Sequence, residues 1–171
     1  MAIYLQQATN KDITKIMQII NQAKQLLKED GNPQWQNGRP NQEIITTDIV
    51  KKQAYCLMVD QQIAGIAILQ TTPETTYAKI DGAWHQEHLQ YATIHRIAIS
   101  ANFRGQHLGQ FFMSNLISQG KLKGINNFRI DTHPVNLRMQ KLIKKTGFKY
   151  RGTIQIDQTK DGLRYAYELN L

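Results

Sequence analysis

Apolar positions along the chain switch between two spacings, and the switches predict its elements. Residues 2–7 read as a short strand. Ile13, Ile16, Met17, Ile20, Ala23, Leu26 and Leu27 then recur every three or four residues, the face of a helix ending near Lys28. Thr9 with Asp12 three residues on has the form of an N-cap with an acidic third position, and Glu29-Asp-Gly-Asn-Pro33 supplies the stop. Asn41 is placed to cap a second helix through Ile44, Ile45 and Ile49 to about Lys52. Residues 54–59 and 63–70 read as strands paired about Asp60-Gln61-Gln62, whereas 71–87, with Gly82 and Trp84, has no period and reads as irregular.

The second half repeats the alternation. Residues 94–99 form an apolar, β-branched run of strand length. After a short turn, Leu108, Phe111, Phe112 and Leu116 return to helical spacing, and Lys121-Leu-Lys123-Gly124 places cations and a glycine where a helix ends. Residues 127–132 are a strand broken by Pro134. Asn136 opens another helix, with Leu137, Leu142 and Ile143 expected to face inward, and Gly147-Phe148 passes into the next strand. Asp161-Gly162 predicts a type I′ hairpin between strands at 150–157 and 163–170.

Length and composition narrow the class. The 171 residues fit one domain, 1–171, with a proper core. No apolar run is long enough to span a bilayer, and the first residues lack the charged start and apolar centre of a signal peptide. The single cysteine, Cys56, excludes an internal disulfide, suits a reducing cytoplasm and, inside an apolar strand, reads as buried rather than nucleophilic. A net charge of +8 favours anionic ligands, among which acyl-CoA and nucleic acid both qualify. Lys141, Lys144, Lys145 and Lys149 cluster near one helix and read as a solvated face. His85, Glu87 and His88 are contiguous rather than at an established ligand spacing, so no metal is expected.

The chemistry concentrates in residues 91–109. A strand there runs through a tight basic loop, Arg104-Gly105-Gln106-His107-Leu108-Gly109, into a helix. Such a junction aims free backbone N–H groups at one spot, where the helix dipole also favours negative charge. The loop resembles the pyrophosphate motif of the GNAT superfamily of acyl-CoA-dependent N-acyltransferases: Arg or Gln, two residues, Gly, one residue, then Gly or Ala. His107 stands where the middle glycine falls. Asn136…Met139…Leu142…Lys145-Thr-Gly147-Phe148 resembles the family's second CoA motif, in the right order and separation.

The resemblance implies an α/β fold, a mixed, mostly antiparallel central sheet flanked by helices. It implies acetyl-CoA as co-substrate, held by Ile97, Ala98 and Ile99 beside a splay in the central strand, by Arg104, Gly105, Gln106, His107, Leu108, Gly109 and Gln110, and by Asn136. It raises Trp35 and Arg39, between the first two helices, to acceptor contacts, with Thr93 and His133 also facing the cleft. The function implied is transfer of an acetyl group to a primary amine, on a small molecule or a peptide, by direct attack in a ternary complex. Such a reaction needs an amine freed of its proton, and His95 is the titratable group on the central strand suited to that work near neutral pH. A hydrogen-bonded core histidine is the competing reading. The family's usual thiolate acid, a tyrosine seven residues after Asn136, is replaced by Ile143; Tyr150, Tyr165, Tyr167 or solvent stand as substitutes, and Asp131 also flanks the cleft. A non-catalytic acyl-CoA sensor is the alternative that His107 and Ile143 suggest. A basic nucleic-acid-binding domain is a third, without a recognition motif to support it. No membrane partner is expected, and a homodimer is compatible with the sequence.

Overall fold

In the computed structural model, which describes residues 1–171, the elements run β1 (Ile3–Gln7), α1 (Ile13–Glu29), α2 (Gln42–Val50), β2 (Ala54–Val59), β3 (Gln62–Gln70), β4 (Asp81–Gly82), β5 (Ala92–Ile99), α3 (Leu108–Leu122), β6 (Asn127–Thr132), α4 (Leu137–Lys145), β7 (Lys149–Gln155) and β8 (Leu163–Asn170). The strands form one sheet in the order β1-β2-β3-β5-β6-β8-β7-β4. All neighbours are antiparallel except β5 and β6.

Strand alternation sorts the core onto two faces. On β2, Tyr55, Leu57 and Val59 join Ile94, Phe112, Leu116, Phe128, Ile143 and Tyr167 under α3 and α4. Ala54, Cys56 and Met58 join Ile16, Ile19, Ile20, Ile45, Ile66 and Ile68 under α1 and α2. Both faces of β2 are therefore buried along its whole length, which is why its sequence is a continuous apolar run. Burial also pushes the Cys56 thiol up to about 12. Residues 71–91 cover the remaining face over β6, β7 and β8, where Tyr77 and Trp84 pack on Ile154 and Ala166.

Local signals hold at the helix starts, with the Thr9 box capping the 3₁₀ turn Asn10–Asp12 that runs into α1. Asp12 accepts from the Thr9 N–H at 2.8 Å, and the Asn41 side chain accepts from the Ile44 N–H at 3.0 Å. Three expectations change. Residues 71–87 contain β4, whose Gly82 crosses Gly152 of β7; both have positive φ, and a Cβ on either would strike the other strand's backbone. Leu137 is 72% exposed, because it sits on the opening turn of α4 and the helix buries Gln140 and Ile143 instead. The type I′ hairpin is absent, since neither Asp161 nor Gly162 has positive φ. β7 ends at Gln155, and Asp157 accepts from the Thr159 N–H and hydroxyl at 2.8 and 2.6 Å, building a longer connection.

Candidate functional site

The site begins with a fault in the central strand. Ile66 pairs with Ala98 and Ile68 with His95, so β5 takes three steps where β3 takes two. The extra residue is a bulge at Arg96, which has φ of 51°. On the other edge, β5 pairs with β6 only at Ala92–Phe128 and Thr93–Arg129. Beyond that the strands part, and Ile97, Ala98 and Ile99 have no partner in β6. The bulge also offsets the alternation by one: Ile97 and Ile99 pack towards the α3/α4 core as Ala92 and Ile94 do, while Ala98 joins the α1/α2 core.

The loop after β5 forms a cradle of free main-chain donors. The N–H groups of Gly105, Gln106, His107, Leu108 and Gly109 donate to no protein acceptor, and they lie at the positive end of α3. Gly105 has φ of 80°. His107 is the N-cap of α3 with φ of 56°, so it takes the left-handed conformation a glycine would take, its imidazole exposed. A Cβ on Gly109 would lie 3.1 Å from Leu142, which is the physical reason for a glycine there: α3 packs closely on α4. Gln110 donates its N–H back to the His107 carbonyl. Free N–H groups at a helix start fit a pyrophosphate. Arg104 is turned aside, its Nη2 donating to the Gln22 carbonyl of α1 at 3.1 Å, and the two line a groove of about 510 Å³ with Gln18 and Gln25.

Asn136 is already engaged. Its Oδ1 accepts from the Met139 N–H, capping α4, and its Nδ2 donates to Gln34 Oε1 at 3.0 Å. Gln34 also accepts from the His133 N–H at 3.4 Å, and Asp30 forms a two-point ion pair with Arg138 at 2.8 and 3.1 Å. The α1–α2 loop is thus tied across to the β6–α4 turn. His133 is buried, its Nδ1 accepts from the Val135 N–H, and burial holds its pKa below the ordinary value. Trp35 packs on the edge of the α1/α2 core, and Arg39 is exposed. Thr93 is fully buried.

His95 does not stand alone. Its Nε2 lies 3.1 Å from Glu74 Oε2, each side chain 19% exposed. The imidazole hydrogen bond, helped by Thr76, holds the Glu74 carboxyl down at about 2. Beside it, Arg96 lies 3.2 Å from the buried Asp48 of α2, whose pKa burial raises despite the guanidinium. Sequence reading missed Glu74, Asp48 and Gln34. Only Glu74 carries a local sign, a Pro-Glu-Thr-Thr order that caps the 3₁₀ turn Thr75–Ala78. Ile143 is buried in the core, so no phenol occupies that position. Tyr150 meets Tyr165 and Tyr167 edge-on, with centroids 5.5 and 5.7 Å apart. His85 donates its main-chain N–H to Glu168, and no three His, Cys, Asp or Glu side chains converge as metal ligands.

The fold thus brings together a parted parallel strand pair, a bulge at its mouth and a run of free main-chain donors at the start of the following helix. The model of the acetyltransferase (GNAT) family matches residues 20–148, and the chain belongs to that family; it is an acetyltransferase. It is similar to a GNAT-family acetyltransferase from Streptococcus agalactiae 2603, with 34% identity over 99% of this chain and 95% of that one and a TM-score of 0.91. A GNAT-family acetyltransferase from Listeria monocytogenes 4b F2365 shares 22% identity over 99% and 95%, with a TM-score of 0.76. PaiA N-acetyltransferase from Thermoplasma acidophilum, solved in complex with coenzyme A, shares the fold at 15% identity over 100% of both chains, with a TM-score of 0.74. No curated protein matches the sequence.

Proposed function

We propose that the protein moves an acetyl group from acetyl-CoA to a primary amine by direct attack in a ternary complex. The observation that carries this reading is the juxtaposition of the cradle at 105–109 with the parted stretch at 97–99 and, across the bulge, His95. The cradle N–H groups would take the pyrophosphate, and Asn136 would exchange its Gln34 contact for the CoA arm. The main chain of Ile97, Ala98 and Ile99 would hold the acyl end. Acetyl-CoA supplies an already activated thioester, so the chain needs no nucleophile of its own. The departing thiolate is stable enough near neutral pH that a dedicated phenol in place of Ile143 is not essential.

The amine enters from the α1/α2 face. A protonated amine has no lone pair to attack with, and no Asp or Glu lies on β5, so His95 is the base that strand offers. Trp35, Arg39 and His133 would border the approach, whereas Thr93, expected to face the cleft, is sealed inside the sheet. An aminoglycoside acetyltransferase of this fold, AAC(6′)-Ib, has been solved with ribostamycin and coenzyme A, which illustrates one amine class; peptide amines are another. The test is release of CoA thiol from acetyl-CoA across a panel of polyamines, amino acids, aminoglycosides and peptides. At least one amine should turn over. His95→Gln should lower kcat/KM by roughly 10²–10⁴-fold while calorimetry finds CoA affinity unchanged. Acetyl-CoA binding with no turnover on any amine would favour a sensor. A folded His95→Gln enzyme with full rate and the same pH limb would remove the base.

A further inference from the structure

We infer that Glu74 is a positioning residue for His95: it fixes the imidazole as the Nε2–H tautomer, so that Nδ1 is the nitrogen that takes the amine proton. This rests on the reading of His95 as base. The carboxylate accepts from only one imidazole nitrogen, Nε2 at 3.1 Å, and Nδ1 has no protein partner. A carboxylate cannot donate, so the shared proton of the neutral ring must sit on Nε2. The lone pair is then left on Nδ1.

Glu74 is itself held rigidly. Its Oε1 accepts from the Thr76 N–H and hydroxyl at 3.2 and 3.1 Å, and its own N–H donates to the Tyr91 hydroxyl at 2.9 Å. The segment that carries it is seated on the sheet through Tyr77, whose hydroxyl donates to Asp131 at 2.7 Å. The carboxylate therefore arrives at the imidazole with little freedom left to lose. The other charges near the ring are Asp48 on α2 and Arg96 on β5, and these two pair with each other. Glu74 is thus the charge committed to His95. In the step itself an ammonium N–H bond breaks and an Nδ1–H bond forms. Glu74 stabilises the resulting imidazolium without taking the proton, which passes from Nδ1 to water before the next turnover.

The first measurement needs no variant. Nitrogen-15 NMR of the wild-type protein above pH 8 should report His95 as the Nε2–H tautomer, and an Nδ1–H tautomer would overturn the inference. The second is kinetic. Glu74→Gln offers an amide that can donate to Nε2 and trap the wrong tautomer, so kcat should fall at least tenfold while KM for acetyl-CoA stays within about twofold. Losing the carboxylate should also move the acid limb of the pH–rate profile to lower pH. Glu74→Asp, which keeps the charge, should recover part of both. A folded Glu74→Gln enzyme with wild-type kcat and limb, when His95→Gln has lost that limb, would refute Glu74 alone. If His95→Gln keeps the limb, the base assignment itself has failed.

Discussion

Glu168→Gln is the perturbation that most directly tests how the 71–91 segment is held. Glu168 is buried between two guanidinium groups: Oε1 lies 3.4 Å from Arg129 Nε, and Oε2 lies 3.3 Å from Arg151 Nε. Oε2 also accepts from the His85 N–H at 2.7 Å. Both oxygens face donors. An amide has one oxygen and one NH₂, so either flip sets a donor against a donor. Removing one partner of a buried pair typically costs about 3–5 kcal/mol. Arg129 keeps its bond to the Gln86 carbonyl at 3.1 Å and its place between the Trp84 and Tyr91 rings, 4.1 and 3.9 Å from their centroids. Those contacts soften the loss, which places the expected cost near the lower end, about 3 kcal/mol. At roughly 2–4 °C per kcal/mol for a chain of this size, Tm should fall by about 6–12 °C. Differential scanning calorimetry at pH 7 reads this directly. Limited proteolysis should show new cleavage within 71–91 before global unfolding. Arg151→Ala, which removes the more exposed partner, should cost distinctly less. A Glu168→Gln Tm within about 2 °C of wild type would refute the argument that this carboxylate seats the segment.

Two further outcomes follow from the site. His107→Ala removes an exposed imidazole from the mouth of the cradle while keeping a Cβ at the left-handed position, and calorimetry should find acetyl-CoA binding weakened several-fold; unchanged affinity would take His107 out of the site. Because the Glu74 carboxyl falls from 4.5 to about 2 on folding, the folded state binds fewer protons than the unfolded chain in that window. The stabilisation is present above pH 4.5 and lost as pH falls towards 2. Urea midpoints at pH 5 and pH 3 should therefore converge in Glu74→Gln relative to wild type, and an identical loss in both would contradict the depressed carboxyl.

The sequence by itself determined most of the elements and the family. Helix periods, caps at Thr9–Asp12 and Asn41, and the order strand, Arg104–Gly109, helix are consequences of residues within a turn or two of each other, so they are legible along the chain. The two CoA motifs resolved the family for the same reason. What only the tertiary structure decided depends on residues far apart. The bulge falls at Arg96, in a run where no glycine or proline marks it, because the register of β5 is set by β3 on one edge and released by β6 on the other. Glu74 meets His95 across 21 positions, and Gln34 meets Asn136 across 102. Both come from connections without periodicity, whose course is fixed by what they pack against. Leu137 and the Asp161-Gly162 connection changed for local reasons instead: Leu137 falls on the opening turn of α4, and the Asp157 carboxylate caps Thr159 two residues on. The cradle is therefore local chemistry, whereas the group that orients the proposed base is a product of the fold.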